Sequence, residues 1–324
     1  MECEFCGMVL SGGPGDRLDH LLECEGRWAF EEEQRAQESL ARATVPVTPR
    51  VHGLLDDVAI IFESLYPLAD NVCAVGLLAV NWRPTLVVSS NHRLTACALS
   101  IHPSGSIRWS VRYSDNDGSL ENEGTWSANS PRNYTVAQHF KVSDAKEYHA
   151  RVAQSLWRLW EAVTAKDLGT IYGSSNVGEA RLIRDALKDD VQPVVWEIDW
   201  DSHAEIKLLD YTVENGSTWC SRYLGVSKLC CKMCTLYLDA YNTTLPQSAV
   251  SFLGSHGFVF KYWKLAPELA GLLNVKLAFE RSFARNGVSA FSSTVSTSKG
   301  TIINYNCKTV KPLEKQTRRR SIIL

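Results

Sequence analysis

The feature that most constrains this chain is the triplet His203-Ala204-Glu205 followed, 28 residues after His203, by the pair Cys231 and Cys234. An imidazole and two thiolates suit a tetrahedral Zn²⁺ shell that keeps its fourth position open for water. Glu205 has no ligand duty in such a set and is placed to move protons at that position. The fold must therefore bring two distant segments within one coordination radius. Two cysteines three apart at the start of a helix lie on one face, where the partial positive charge of the helix N-terminus favours thiolates. A His and a Glu two apart diverge in a helix interior, so the triplet works best in a first turn. Asp201 and Ser202 are suitable N-cap residues, and Ile206, Leu208, Leu209 and Val213 supply an apolar face for a helix running to about Glu214. A strand-like segment between the two helices completes the order that a zinc-dependent nucleobase deaminase core requires, and His-x-Glu followed by Pro-Cys-x-x-Cys is the signature of those enzymes.

Blander readings exist for each part. Ser202 with Glu205 also forms a capping box, which would account for the Glu without chemistry. A Cys-x-x-Cys pair alone could be a redox pair or half of a structural zinc site. The conjunction favours the enzyme.

The phrase Gly225-Val226-Ser227-Lys228-Leu229-Cys230-Cys231 leading into Cys234, with Gly254-Ser255-His256-Gly257 and Trp263 downstream, resembles a predicted deaminase family of fungi and some bacteria, Orientia included. That family belongs to the cytidine deaminase-like superfamily. The resemblance spans about residues 190 to 270. It implies a three-layer α/β/α mixed sheet, a catalytic zinc on His203, Cys231 and Cys234, Glu205 as the proton shuttle, and His256 as a substrate contact. Cys230 stands where many deaminases have Pro, and so competes on paper for the metal.

A chain of 324 residues, 45% of them apolar, can build one substantial core plus a smaller module. The net charge of −2 gives no global attraction to polyanions, so nucleic-acid contact would need a local patch. No N-terminal signal pattern is present and the apolar runs are far short of a membrane span, so the expectation is a soluble, intracellular protein, cytoplasmic or nuclear, with no membrane partner. Seven of the ten cysteines fall in two metal-like clusters, which suits a reducing compartment.

The first cluster is Cys3-x2-Cys6, then His20-x3-Cys24, with 13 residues between Cys6 and His20. This is the spacing of a Cys-Cys-His-Cys zinc finger over residues 1–26, with a turn at Ser11 to Gly15 and a helix carrying His20 and Cys24 on one face. So small a module needs a metal to fold. Its partner could be protein or nucleic acid. Two Zn²⁺ ions per chain are thus expected, one catalytic and one structural.

Residues 27–50 read as an acidic helix followed by the stiff Val45 to Pro49 linker. The deaminase-like domain is expected over 51–290, with a large insertion before the triplet. Leu54 to Tyr66 looks helical, and Val72 to Asn81 with Thr85 to Ser90 looks like a hairpin ending at Asn91. In the superfamily a hairpin precedes the His-x-Glu helix, which makes Asn91 a base-contacting candidate. Within the insertion, Ile107 to Tyr113, Leu168 to Tyr172 and Val191 to Ile198 read as strands, Ser114 to Arg132 as a polar loop, and Ser143 to Thr164 and Val177 to Lys188 as helices. Ser251 to Lys261 suits a strand and Pro267 to Ala284 a helix. Trp157, Trp160, Trp196 and Trp200 could stack on bases, although Trp at such spacing is ordinarily core. Residues 291–324 read as a basic tail, since Lys308, Lys311, Lys315 and Arg318 to Arg320 face only Glu314 and leave a local charge of +5.

The expected function is hydrolytic deamination of cytosine or adenine, foremost in a nucleic acid. The alternatives are an inactive deaminase fold kept as a zinc-stabilised interaction module, and a free nucleoside deaminase.

Overall fold

The computed structural model describes residues 53–65, 71–115, 118–131, 134–136, 145–196, 202–257, 259–260, 262–297 and 300–309. The expected finger with Cys3, Cys6, His20 and Cys24, the linker, Trp200 and residues 310–324 lie outside the described residues.

Three sheets carry the fold. The central one has the order β10-β9-β1-β2-β8. Its hairpin of β1 (Cys73–Val80) and β2 (Arg83–Ser90) pairs antiparallel from Cys73↔Ser90 to Val80↔Arg83. β9 (Thr218–Val226) lies antiparallel against β1, with β10 (Ser251–Phe252) parallel to β9, and β8 (Val194–Val195) runs parallel to β2 at the other edge. β1 reads Cys-Ala-Val-Gly-Leu-Leu-Ala-Val because it is covered on both faces, which removes the polar alternation of a half-exposed strand. Cys73, Val75 and Leu77 join one core cluster, while Ala74 and Leu78 join the other.

On the first face sits α1 (Gly53–Glu63), buried from Leu54 onwards. It can approach because Gly225 has no side chain: a Cβ there would lie 2.4 Å from the Leu55 carbonyl carbon. On the second face sits α5 (Ala204–Glu214), with α6 (Lys232–Thr244) beyond it. The central sheet is thus a mixed sheet between helical layers, as expected for an α/β/α core.

The insertion adds a second sheet of order β6-β5-β4-β3-β7, antiparallel throughout. It comprises β3 (Leu94–His102), β4 (Ser106–Asp115), β5 (Gly118–Ser127), β6 (Tyr134–Val136) and β7 (Asp189–Val191), with α2 (Ala145–Thr164), α3 (Leu168–Tyr172) and α4 (Val177–Leu187) following β6. The segment 189–195 stitches the sheets together, pairing β7 with β3 and then β8 with β2.

Four expectations are corrected here. The polar loop of 114–132 contains β5, which pairs with β4 along its whole length. Glu121, Glu123 and Thr125 face outward, while Asn122 and Trp126 are buried and Gly124 accepts the Trp109 ring where a Cβ would lie 2.3 Å from it. Leu168 to Tyr172, expected as a strand, is a short helix. Asp167 Oδ1 accepts the Gly169 N–H at 2.8 Å to start it, and Gly173 at φ +80° ends it. Among the described residues of 251–265, only Ser251–Phe252 and Tyr262–Leu265 (β11) are strands, because Gly254 and Gly257 turn the chain through positive φ.

The basic tail expected from residue 291 begins instead with strands. β12 (Val288–Thr297) and β13 (Gly300–Thr309) form a hairpin that joins β11 in a third sheet of order β11-β13-β12. Val288, Ile302, Ile303, Tyr305 and Cys307 are buried with Trp263, Leu269 of α7 (Pro267–Gly271) and Phe279 of α8 (Leu273–Arg285). That apolar set outweighs the polar look of the segment. No helix among the described residues is long and apolar enough to cross a membrane.

Candidate metal centre

The central sheet delivers both halves of the motif to one end. β2 ends at Ser90 beside the start of α5, and β9 leads through a short loop into α6. Every residue of Gly225-Val226-Ser227-Lys228 anchors that loop. Gly225 seats α1, and the Val226 N–H donates to the buried Asp56 carboxylate at 2.9 Å. Ser227 exchanges two hydrogen bonds with Cys73, accepting its N–H on Oγ at 3.0 Å and donating its own N–H to the carbonyl at 2.9 Å. Lys228 pairs with the buried Glu63 at 3.1 Å, and Arg151 of α2 donates to the Ser227 carbonyl. The insertion therefore clamps the strand end that carries the cysteines.

Beyond this loop, Cys230 runs beside the glycine-flanked turn. Its N–H donates to the Gly254 carbonyl at 3.0 Å, and its carbonyl accepts the His256 N–H at 3.1 Å. Cys231 is the N-cap of α6, its Sγ accepting the Cys234 N–H at 3.3 Å.

His203, with extended backbone, is the N-cap of α5. Ser202, expected to cap, instead donates its hydroxyl to the Lys264 carbonyl at 3.1 Å. The carbonyl group that caps the first N–H comes from Asn91, whose Oδ1 accepts the Ala204 N–H at 2.7 Å. Ser89 donates to the Ala204 carbonyl at 2.6 Å, so the end of β2 grips this turn from two sides.

The N-termini of α5 and α6 thus meet. One ligand atom each from His203, Cys231 and Cys234 lies within 4.8 Å of the others. The two sulfurs are 3.3 Å apart, against about 3.7 Å for two thiolates on one tetrahedral zinc, so a small opening would be needed to seat that ion. One imidazole and two sulfurs, with no fourth donor in the group among the described residues, could hold a metal ion. Cys230 lies outside it.

Electrostatics follow the geometry. Burial opposes ionisation of Cys231, but the hydrogen bond to Cys234, the His203 charge and the Cys234 N–H outweigh it and hold this thiol well below its ordinary range. Burial and the neighbouring Cys231 push Cys234 well up. The pair therefore shares one proton, which a metal would displace. Glu205, in the first turn of α5, is fully buried; burial raises its carboxyl, against the lowering effect of the His203 charge. Its Oε2 has no hydrogen-bond partner. Burial also pushes the Cys230 thiol well up, with the Glu205 carboxylate adding to the effect, so a neutral thiol stands beside this carboxylate.

Asn91 and His256, the expected substrate contacts, both border this site. Asn91 is tied to Ala204 as described, and His256 is buried, edge-on to Phe260 at 6.0 Å. Two neighbours had no assigned role in the sequence reading. Phe260 also lies edge-on to His203 at 5.2 Å. Trp263 donates its indole N–H to Cys234 Sγ at 3.2 Å. Trp263 stood in the phrase that carried the family resemblance, but nothing in a sequence tells where an indole N–H points. Of the tryptophans with base-stacking potential that lie among the described residues, Trp157 and Trp160 cluster with Trp126, and Trp196 packs on Tyr211.

Residues 202–268 match the model of a family described as OTT_1508-like deaminases, about a fifth of the chain. The matched segment begins just before His203 and ends in α7, so it contains His203, Cys231 and Cys234, together with Glu205, His256 and Trp263. No curated protein and no solved structure matches the chain.

Proposed function

We propose that this protein is a zinc-dependent hydrolytic deaminase of a nucleobase, acting on cytosine or adenine in a nucleic acid. One observation carries the reading: inside the deaminase-like segment, a buried carboxylate with an unpartnered oxygen stands beside a His-Cys-Cys ligand group. His203, Cys231 and Cys234 would hold Zn²⁺, which would supply Lewis acidity there.

The chain's own residues do the rest. Glu205 takes one proton from the attacking water and passes it to the ring nitrogen, then carries the remaining proton of that oxygen to the amino group, which leaves as ammonia as the C–N bond breaks and the carbonyl forms. Its raised pKa suits a group that must both accept and release protons. Half-buried Phe260, edge-on to half-buried His203, presents an aromatic wall to a planar base. Asn91 and His256, which border the group, are the contacts proposed for the polar edge of that base. A polymeric substrate is favoured by the sequence of the finger and of the basic segment after Lys308, which offer contacts that a nucleoside does not need. Cys3, Cys6, His20 and Cys24 are proposed, on spacing alone, to hold a second, structural zinc whose partner is protein or nucleic acid.

The test is incubation of the zinc-loaded full-length chain with single- and double-stranded DNA and RNA and with free nucleosides, followed by sequencing and by ammonia release. C-to-U or A-to-I changes in a polymer support the reading, and turnover confined to nucleosides corrects the substrate. Absence of deamination in every form favours the zinc-stabilised interaction module.

A further inference from the structure

Trp263 is 1% exposed and Cys234 is fully buried, so the 3.2 Å hydrogen bond between indole N–H and sulfur is shielded from water. A donor to a sulfur that becomes a thiolate when a metal binds is a strong, charge-assisted partner in so dry a site. The ring has little freedom to point elsewhere. It packs against Phe279 of α8 at 5.2 Å, Tyr305 of β13 at 5.7 Å and Tyr237 of α6 at 6.0 Å. Register reinforces this, since Trp263 stands opposite Tyr305 in the β11–β13 pair. Tyr305 is in turn fixed by a hydrogen bond from its hydroxyl to Glu280 at 3.0 Å.

Phe279, Glu280 and Tyr305 all lie beyond residue 268, where the deaminase-like segment ends. The third sheet and α8 thus hold a group that touches a ligand of the metal group. We propose that Trp263 is a positioning residue of the metal centre: its indole N–H occupies one lone pair of Cys234 and fixes the sulfur so that its remaining lone pairs face the ion. The C-terminal hairpin acts on the site through this ring. The inference rests on the metal-binding reading of His203, Cys231 and Cys234, but not on the identity of the substrate.

The experiment uses the full-length chain carrying Cys3→Ser and Cys6→Ser, so that only the His203 group reports. Zinc affinity is measured by competition with a chromophoric chelator, and Co²⁺ loading is followed by its thiolate-to-metal charge-transfer absorption. Two variants remove the N–H: Trp263→Phe, and replacement of Trp263 by benzothienylalanine, an isostere that keeps the bicyclic shape should the phenyl ring fail to fill the site. Loss of a hydrogen-bonding partner of a metal ligand typically costs 10- to 100-fold in affinity. The isostere is expected to weaken zinc at least tenfold and to move the Co²⁺ charge-transfer band to longer wavelength, because the sulfur becomes a more electron-rich donor. Phe279→Leu loosens the aromatic packing while keeping the N–H and should leave the band in place. An isostere with parental affinity and an unmoved band overturns the proposal, as does a Phe279→Leu shift equal to that of the isostere. A parent that binds neither ion overturns the metal reading and this proposal together, a result distinct from either.

Discussion

Asn91 Oδ1 accepts the backbone N–H of Ala204 at 2.7 Å across 113 residues of sequence, so the helix that begins with the catalytic-type triplet is capped by the end of a strand in the preceding hairpin. A local Ser cap would start the helix without tying it to the sheet. The non-local cap does both, and it fixes His203 relative to the end of β2. Asn91→Ala should therefore cost about 1 kcal/mol in stability, the usual cost of losing a cap, and should also weaken zinc binding, because the ligand on the capped turn loses its anchor. Asn91→Asp keeps the acceptor and should retain most of both. Urea unfolding and zinc competition measure the two effects, and a Ser202→Ala variant should disturb the cap much less.

Asp210 gives a prediction about pH. It lies on α5 with both carboxylate oxygens buried, and burial, aided by the charges of Glu214 and Glu268 and only partly offset by the nearby Trp196 indole and Leu269 N–H, pushes it up to about 7. Its value in the unfolded chain is about 3.9. Between those two values the folded state holds a proton that the unfolded state has lost. Its contribution to stability is full below the lower value and falls as pH rises, by up to about 1.4 kcal/mol per pH unit, until the upper value is passed. Asp210→Asn removes this dependence. Denaturation of parent and variant between pH 5 and pH 8 should show the gap between them moving in favour of the variant as pH rises. Parallel curves would place the Asp210 carboxyl at its ordinary value.

What the sequence disclosed and what it hid follow a physical division. His203, Cys231 and Cys234 could be brought together on paper because helix starts and a three-residue spacing dictate direction locally. The β1–β2 hairpin was legible because both strands carry dense runs of Val and Leu. β5 was not, since only Trp126 and the pairing with β4 distinguish Glu121-Asn122-Glu123 from a polar loop. The 168–172 helix depended on one cap and one glycine. The C-terminal hairpin was overshadowed by the charges after Lys308, although Ile303, Tyr305 and Cys307 already alternate as a half-buried strand should. Asn91 and Trp263 share a different difficulty: their partners, Ala204 and Cys234, are named only by the tertiary fold.

Metal content tests the two ligand sets separately. Metal-replete protein should carry two zinc ions per chain, one lost in Cys3→Ser with Cys6→Ser and the other in Cys231→Ser. Loss of the second ion should destabilise the domain, because the free energy of metal binding is lost and Cys234 stays buried without a cation for its sulfur. Elemental analysis counts the ions. A single zinc that survives Cys231→Ser would remove the catalytic centre from this account, and one that survives the finger substitutions alone would remove the finger.

Glu205→Gln separates chemistry from architecture. The capping-box explanation of Glu205 needs Ser202 as its partner, yet the Ser202 hydroxyl is given to the Lys264 carbonyl, and the cap comes from Asn91. Glu205 is left as a buried carboxylate with a raised pKa, a partnerless Oε2, and the ligands His203 and Cys231 as its electrostatic neighbours. Gln preserves its size and removes the negative charge and the basic oxygen. Zinc content and unfolding midpoint should hold or improve, since burying an ionisable carboxyl is itself costly. Deamination should fall 10²- to 10⁴-fold, the range of a positioned acid–base group, and towards its upper end because one carboxylate serves successive proton transfers. Paired measurement of turnover and zinc content decides the matter: equal loss of both would make Glu205 a structural member of the site, whereas undiminished turnover would require another base.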